Sequence, residues 1–150
     1  MPDEIELLYR RRFRDFTRAA AAIVGDEEAG RDAVQDAFVK LVRKRRRFRG
    51  EGSLEAWAWR FVVNAARDAR PRRSHVGEAP ERMAARAEDL GLPLERLTDR
   101  QREVLFLHYY ADLDYTTIAH VLGISSGTVG ATLSAARETL RGALTKEISR

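Results

Sequence analysis

The stretch from residue 115 to residue 141, YTTIAHVLGISSGTVGATLSAARETLR, constrains the fold more than any other part of the chain. Ile118, Ala119 and Leu122 fall at helical spacing before Gly123 interrupts the pattern. The serines at 125 and 126 then offer an N-cap to a second helix. The apolar stripe of that second helix consists of Val129, Leu133, Ala136, Leu140 and Leu144.

Two short helices joined by a tight turn that contains glycine are typical of a helix-turn-helix. Such a motif presents the start of its second helix to the major groove of DNA. An ordinary helical hairpin inside a bundle is the alternative interpretation, because the motif is short.

Four further helices are predicted, three before residue 71 and one directly before the helix-turn-helix. The first covers residues 3–24 and stops near Gly25, the second follows an Asp26 cap, and the third follows a Ser53 cap. Thr98 and Gln101 form a capping box at the start of the fourth. Since no useful period-two alternation occurs, we predict an all-α chain.

Apolar residues at helical spacing predict the faces that the second and third helices bury. In the second helix they are Ala33, Val34, Ala37, Phe38, Leu41 and Val42. In the third they are Leu54, Trp57, Ala58, Phe61, Val62, Ala65 and Ala69.

Residues 71–93 hold three of the four prolines and few large apolar residues, which indicates a flexible linker. We therefore expect two small helical domains, residues 1–70 and 94–150, on either side of it. The 44% hydrophobic content is enough for packed cores.

The chain is basic, and its excess positive charge lies in the N-terminal half. Residues 1–75 contain 18 Lys and Arg against 12 Asp and Glu, a net +6, whereas residues 76–150 contain 9 against 11, a net −2. Basic excess favours a polyanionic partner, either nucleic acid or an anionic membrane face. The attraction is therefore strongest in the domain that lacks the helix-turn-helix.

The chain lacks the residues that several other functions require. The chain has no cysteine, so disulfides and thiolate metal sites are excluded. His75, His108 and His120 are scattered without a carboxylate cluster, and we predict no catalytic residue, no metal site and no cofactor. No apolar run approaches the roughly 20 residues of a membrane span and no signal peptide is present, which predicts a cytoplasmic protein without a membrane partner.

Five consecutive basic residues, 43–47, end the second helix and precede Phe48 and Arg49. Such a run is best tolerated where a polyanion neutralises it, although a solvated helix end is the alternative. The third helix adds aromatic and polar residues that suit unstacked bases and a phosphate backbone, namely Trp57, Trp59, Phe61, Arg60, Asn64 and Arg67. We expect most of these aromatics, Trp57 among them, to belong to the core.

Two segments together resemble a known family. DAVQDAFVKLVRKRRRFRGEGSLEAWAWRFVVNAARDARPRR resembles region 2 of the bacterial sigma-70 family, and LERLTDRQREVLFLHYYADLDYTTIAHVLGISSGTVGATLSAARETL resembles its region 4. Their order and spacing are those of the extracytoplasmic function (ECF) group, which lacks the other regions.

The resemblance implies a dissociable initiation subunit of RNA polymerase that binds the clamp helices and flap region of the core enzyme and recognises promoter DNA. An anti-sigma factor is a further possible partner. The core-binding pattern falls on Asp32, Gln35, Asp36 and Phe38. Minus-ten melting and single-strand capture fall on Arg45, Arg46, Arg47, Phe48, Arg49, Ser53, Arg60, Asn64 and Arg67. Minus-thirty-five contacts fall on Ser125, Ser126, Thr128, Thr132, Arg137 and Arg141.

The predicted recognition helix departs from the family pattern, which usually has basic residues after the Thr-Val pair. Here Gly130 follows Val129, and the next cation is Arg137. A good bidentate base contact is worth about 1–3 kcal/mol of discrimination. We therefore expect weak upstream readout that depends on hydroxyls, helix N-terminal amides and DNA shape, or on another protein. Alternatively, this domain binds a protein partner instead.

Two other protein classes remain open at this point. A LuxR-like regulator would bind duplex DNA as a dimer without polymerase, but it leaves the basic and aromatic residues of the first domain unexplained. An anti-sigma or adaptor protein would fit the poor recognition helix but not the basic run.

Overall fold

The computed structural model describes residues 3–50, 52–71 and 94–148. The described chain contains six α-helices, which confirms the all-α prediction. They are α1 (Glu4–Val24), α2 (Glu27–Arg43), α3 (Leu54–Ala69), α4 (Asp99–Tyr109), α5 (Tyr115–Leu122) and α6 (Ser126–Ile148). Short 3-10 turns cover Arg45–Arg47 and Leu94–Arg96. Apart from Pro71, the predicted linker lies outside the described residues.

Local sequence signals set the helix ends where they were predicted. Gly25 ends α1 in the left-handed conformation, with φ of 93°. The Asp26 carboxylate accepts a hydrogen bond from the Ala29 amide at 3.1 Å, and the Ser53 hydroxyl accepts one from the Ala56 amide at 3.0 Å. Both bonds of the capping box at the start of α4 are present. These caps satisfy amides that the first turn of a helix leaves unpaired.

The predicted helix-turn-helix is formed by α5 and α6. Gly123, with φ of 71°, ends α5, and the Ser125 hydroxyl accepts a hydrogen bond from the Thr128 amide at 3.0 Å. The two helices meet at 101°. This angle is typical of a helix-turn-helix and not of an antiparallel hairpin.

Helices α1 to α3 form a bundle around two fully buried rings, Phe16 and Trp59, whose centroids are 4.3 Å apart. Phe38 packs edge-on against Phe16 at 5.2 Å. Gly30 brings α2 close to α1, because a Cβ at this position would lie 2.5 Å from the backbone of Ala21.

The second half of the chain packs directly on this bundle. Helix α4 contacts α1, and α5 contacts α3. The buried apolar residues of the two halves form one continuous cluster. Hydrophobic burial therefore joins the two domains in this conformation.

Ala69 and Val42, which were predicted in the core, are exposed, and Trp57 is half-buried against the core. Trp59, offered as a base-stacking residue, is fully buried. The reason is that α1, α2 and α5 cover α3 from several sides. Val42 is 44% exposed and follows Leu41, the last buried residue of α2.

No single helix of the described chain has both the length and the apolar character to cross a membrane. Helix α5 and residues 126–145 reach that length and composition only as a pair, with the sharp bend between them.

Candidate nucleic-acid interface

The basic run forms an exposed turn at the end of α2. Arg45, Arg46 and Arg47 are all exposed, and the amide of Phe48 donates to the carbonyl of Arg45 at 3.2 Å. Arg45 is 3.7 Å from Asp3, in a pair that is open to solvent. Exposed pairs of this kind are weak, so the turn is available to a polyanion.

An aromatic series continues from this turn onto α3. Phe48 is half-buried, and its ring centroid lies 5.2 Å from that of Trp57. Trp57 in turn packs edge-on against Phe61 at 4.8 Å. These rings are partly accessible, in contrast to Trp59, and can offer a stacking surface to an unpaired base.

The loop between the turn and α3 is open. Gly50 and Gly52 have φ of 77° and 78°, and a Cβ at either would meet no atom within 4 Å. Arg49 is exposed beside them. The Ser53 hydroxyl already accepts the α3 capping bond, so its role is to set the start of the helix.

The polar candidates on α3 divide into two groups. Arg60 and Asn64 are exposed, and the i,i+4 spacing places them on one face. Arg67 is half-buried, and its Nη2 donates to Oε1 of Glu103 on α4 at 2.6 Å. The structure therefore brings Arg67 to the boundary between the domains.

The core-binding candidates lie on α2. Asp32, Gln35 and Asp36 are exposed. Phe38 is 6% exposed and packs edge-on against Tyr9 at 4.9 Å. Its ring therefore offers a partner little direct contact and mainly supports the exposed residues beside it.

Beside these residues is a groove of about 610 Å³ between α1 and α2. Its lining includes Ile5, Tyr9 and Phe38, together with Val39 and Val42. Val39 is 50% exposed, which is unusual for a large apolar residue on a charged surface. Val39 is not among the predicted site residues, although its position outside the apolar stripe of α2 could have indicated its exposure.

At the start of α6, the predicted hydroxyl groups are close together. Ser125, Ser126 and Thr128 are exposed, and the hydroxyls of Ser125 and Thr128 are 2.8 Å apart. Thr132 is half-buried one turn further on. The exposed face of this part of the helix continues with small residues, namely Gly127, Ala131, Ser134 and Ala135.

Gly130 has a packing role. A Cβ at this position would lie 3.4 Å from the ring of Tyr115, the first residue of α5. The tyrosine therefore packs over the helix where the family pattern has basic residues.

The two arginines further along α6 have polar neighbours. Arg137 donates to the hydroxyl of Tyr109 from Nε at 3.0 Å and from Nη2 at 2.7 Å, and its guanidinium lies 5.6 Å from that ring centroid. The hydrogen bond to Tyr109 raises the pKa of Arg137. Arg141 is exposed, 3.5 Å from Glu138.

The described residues thus define an all-helical DNA-binding protein, with a basic and aromatic surface on one domain and a helix-turn-helix on the other. Two family models match the chain, Sigma-70 region 2 over residues 8–76 and Sigma-70 region 4 over residues 88–140.

Curated relatives agree with these matches. RNA polymerase sigma factor YlaC of Bacillus subtilis is 29% identical, with 96% of this chain and 94% of the relative covered. RNA polymerase sigma-H factor of Pseudomonas aeruginosa is 30% identical over 81% of this chain and 76% of its own length. A solved structure of CnrH in complex with the cytosolic domain of CnrY has a TM-score of 0.76 and 29% identity, covering 95% of this chain and 88% of CnrH.

The chain belongs to the sigma-70 family of RNA polymerase sigma factors, in the ECF group. It directs RNA polymerase to promoters and is not itself an enzyme. The region 2 match accounts for the first domain, which the LuxR-like and adaptor interpretations left unexplained.

Proposed function

We propose that the first domain, residues 1–70, melts the minus-ten element and holds the exposed strand. The observation that carries this proposal is the aromatic series of Phe48, Trp57 and Phe61 beside the exposed basic turn. Stacking of a base on an aromatic side chain is worth about 1–3 kcal/mol. Phe48 and Trp57 receive an unstacked base, while the arginines of the turn contact phosphates.

The exposed residues of α3 extend this surface. Asn64 hydrogen-bonds a base edge, and Arg60, one turn away, contacts the backbone. Arg49 approaches the same strand from the open glycine loop. Arg67 reaches a phosphate only after it leaves Glu103.

The second proposed surface binds core RNA polymerase. Asp32, Gln35 and Asp36 face the clamp helices, and the adjacent groove accepts an apolar side chain next to Phe38 and Val39. Its combination of exposed valines and carboxylates favours a protein partner over DNA, since carboxylates repel phosphates.

The second domain, residues 94–150, contacts the minus-thirty-five element and the flap region. Its base readout is weak, because small residues occupy the exposed start of α6 and long donors are lacking there. Ser125, Ser126, Thr128 and Thr132 contribute hydroxyls, and Arg137 and Arg141 contact the backbone.

The protein acts in the cytoplasm, where its polymerase is, and an anti-sigma protein regulates it. CnrH, whose fold this chain shares, was solved with the cytosolic domain of CnrY. The groove between α1 and α2 is a suitable place for an apolar side chain of such a regulator.

The test is transcription of a genomic fragment library by core RNA polymerase with and without the protein, with start sites read by sequencing. We expect new starts that share a downstream motif. The double variant Arg60→Ala with Asn64→Ala should lose most of these starts. Absence of new starts with the wild-type protein, together with duplex binding by the protein alone, would contradict the proposal.

A further inference from the structure

Two residues at the surface of the second domain, Tyr109 at the end of α4 and Arg137 on α6, are joined by a pair of hydrogen bonds. The Tyr109 hydroxyl accepts from Nε of Arg137 at 3.0 Å and from Nη2 at 2.7 Å. The tyrosine itself is 57% exposed. Burial in the core is therefore not the main role of this side chain.

The neighbours of Arg137 leave its positive charge unopposed. The hydrogen bond to Tyr109 is the main cause of the raised pKa of Arg137, and Tyr115 adds a smaller contribution. No carboxylate in the described part of the chain forms an ion pair with Arg137, whereas Arg141 lies 3.5 Å from Glu138. A phenolic hydroxyl is neutral near pH 7. Arg137 therefore keeps a full charge that a carboxylate partner would offset.

The hydrogen bonds to Tyr109 occupy only one edge of the guanidinium. This group carries its N–H bonds in one rigid plane. The Tyr109 hydroxyl takes the edge formed by Nε and Nη2. The edge formed by Nη1 and Nη2 has the parallel pair of N–H groups that binds a phosphate through two hydrogen bonds. Tyr109 thus fixes the plane of the group without using this phosphate-binding edge.

The position of Arg137 along α6 suits a phosphate better than a base. It is the first cation of the helix, seven residues after Gly130. Seven residues are about two helical turns, so the two positions share a face and lie about 10 Å apart along the axis. A recognition helix contacts base edges with its N-terminal residues. A side chain two turns further on is therefore closer to the sugar–phosphate backbone at the edge of the groove.

We propose that Tyr109 is a positioning residue, which holds the guanidinium of Arg137 ready for a phosphate of the upstream promoter element. The inference rests on the backbone contact proposed above for Arg137. A freely rotating arginine side chain loses conformational entropy when it binds. Because Tyr109 already restricts Arg137 in the free protein, less entropy is lost when DNA binds. Preorganisation of this kind raises affinity without adding a contact.

The test compares the wild-type protein with Tyr109→Phe, which removes the hydroxyl and keeps any attraction of the ring for the cation. Binding of a fluorescently labelled DNA duplex of fixed sequence by the full-length protein is measured by anisotropy, from low salt upward. The matched control is Tyr110→Phe, because the ring of Tyr110 stacks on Phe106 instead. Since Tyr109 is an exposed residue, Tyr109→Phe should keep the melting temperature of the wild type.

We expect Tyr109→Phe to bind the duplex roughly threefold to tenfold more weakly at every salt concentration, because ordering one flexible side chain costs binding free energy of that size. The slope of log affinity against log salt should not change, since the phosphate contact can still form. Arg137→Ala should instead lower that slope by about 0.9, through the loss of one phosphate contact. Nitrogen relaxation of the Arg137 Nε–H group should show a rigid side chain in the wild type and a mobile one in Tyr109→Phe. Tyr110→Phe should change none of these quantities.

A double-mutant cycle shows whether the hydroxyl acts through the guanidinium. Tyr109→Phe should have no further effect on affinity in the Arg137→Ala background. A loss that persists there, or an equal loss in Tyr110→Phe, would overturn the positioning role.

The single variants separate this inference from the contact on which it rests. If Arg137→Ala weakens binding but Tyr109→Phe changes neither the affinity nor the mobility of Arg137, the positioning role is wrong and the backbone contact stands. If Arg137→Ala leaves both the affinity and the slope unchanged, the backbone contact is wrong and the positioning role is wrong with it.

Discussion

Helices α3 and α6 present opposite kinds of surface, although both are proposed to face promoter DNA. Helix α3 exposes Arg60 and Asn64 and supports an accessible aromatic series. The start of α6 exposes hydroxyls, glycine and alanine, and Gly130 is covered by Tyr115. The long side chains that we propose to bind phosphates and stack on bases are therefore concentrated on the first domain. We accordingly expect promoter selection to depend mainly on the melted strand.

The largest expected effect follows from neutralising the basic turn. Changing Arg45, Arg46 and Arg47 to serine should reduce transcription at least tenfold and lower the slope of log affinity against log salt by about 2 for single-stranded DNA, since each phosphate contact contributes about 0.7. Filter binding at several salt concentrations measures the slope. The matched control changes three exposed arginines of α1, Arg11, Arg14 and Arg18. An equal loss in that control would mean that net charge alone is responsible.

The second prediction compares the two promoter elements directly. Base changes in the downstream motif should reduce transcription by roughly tenfold or more, whereas those in the upstream motif should cost about threefold or less, because the start of α6 lacks bidentate donors. Start-site counts from a promoter-mutation series measure both. Replacing exposed Ala131 with arginine should increase binding to duplex DNA and its salt dependence. Upstream changes as damaging as downstream ones would contradict weak readout.

The third prediction contrasts two helical glycines, one in each domain. Gly30→Ala should lower the free energy of unfolding by about 1–3 kcal/mol, because the new methyl overlaps the backbone of α1. Gly130→Ala should be neutral or stabilising by up to about 1 kcal/mol, since its Cβ meets only a ring at 3.4 Å and alanine favours helix. Urea denaturation measures both, with Gly142→Ala in open space as the reference. Equal destabilisation at positions 30 and 130 would mean that the Tyr115 ring cannot move aside for the new methyl group.

The smallest expected effect concerns the pH dependence of the helix-turn-helix. Hydrogen bonds from the hydroxyl and the amide of Thr117 lower the pKa of Asp114, the N-cap of α5. A lowered pKa in the folded state means that the carboxylate contributes stability above its unfolded pKa, near 3.8, and loses it as pH falls through the lower folded value. The stability of Asp114→Asn should therefore differ most from that of the wild type near neutral pH, and the two stabilities should converge in acid. Thermal melts across that range measure the difference, and a constant gap at all pH values would contradict it.

Much of this protein was determined by the sequence itself. The six helices, the caps at Asp26 and Ser53, the capping box at Thr98 and the helix-turn-helix were predicted correctly, because each depends on residues within a few positions of one another. The exposed candidates Arg60 and Asn64 were likewise readable from spacing on one helix.

The tertiary structure alone decided which faces are covered and which distant residues meet. Periodicity shows that Trp57 and Trp59 lie on α3, but only the packing of α1, α2 and α5 around that helix buries Trp59 and leaves Trp57 accessible. The pairing of Arg67 with Glu103 joins residues 36 positions apart. Such a contact depends on how two domains dock, and docking is set by the summed burial of many side chains and not by any local pattern.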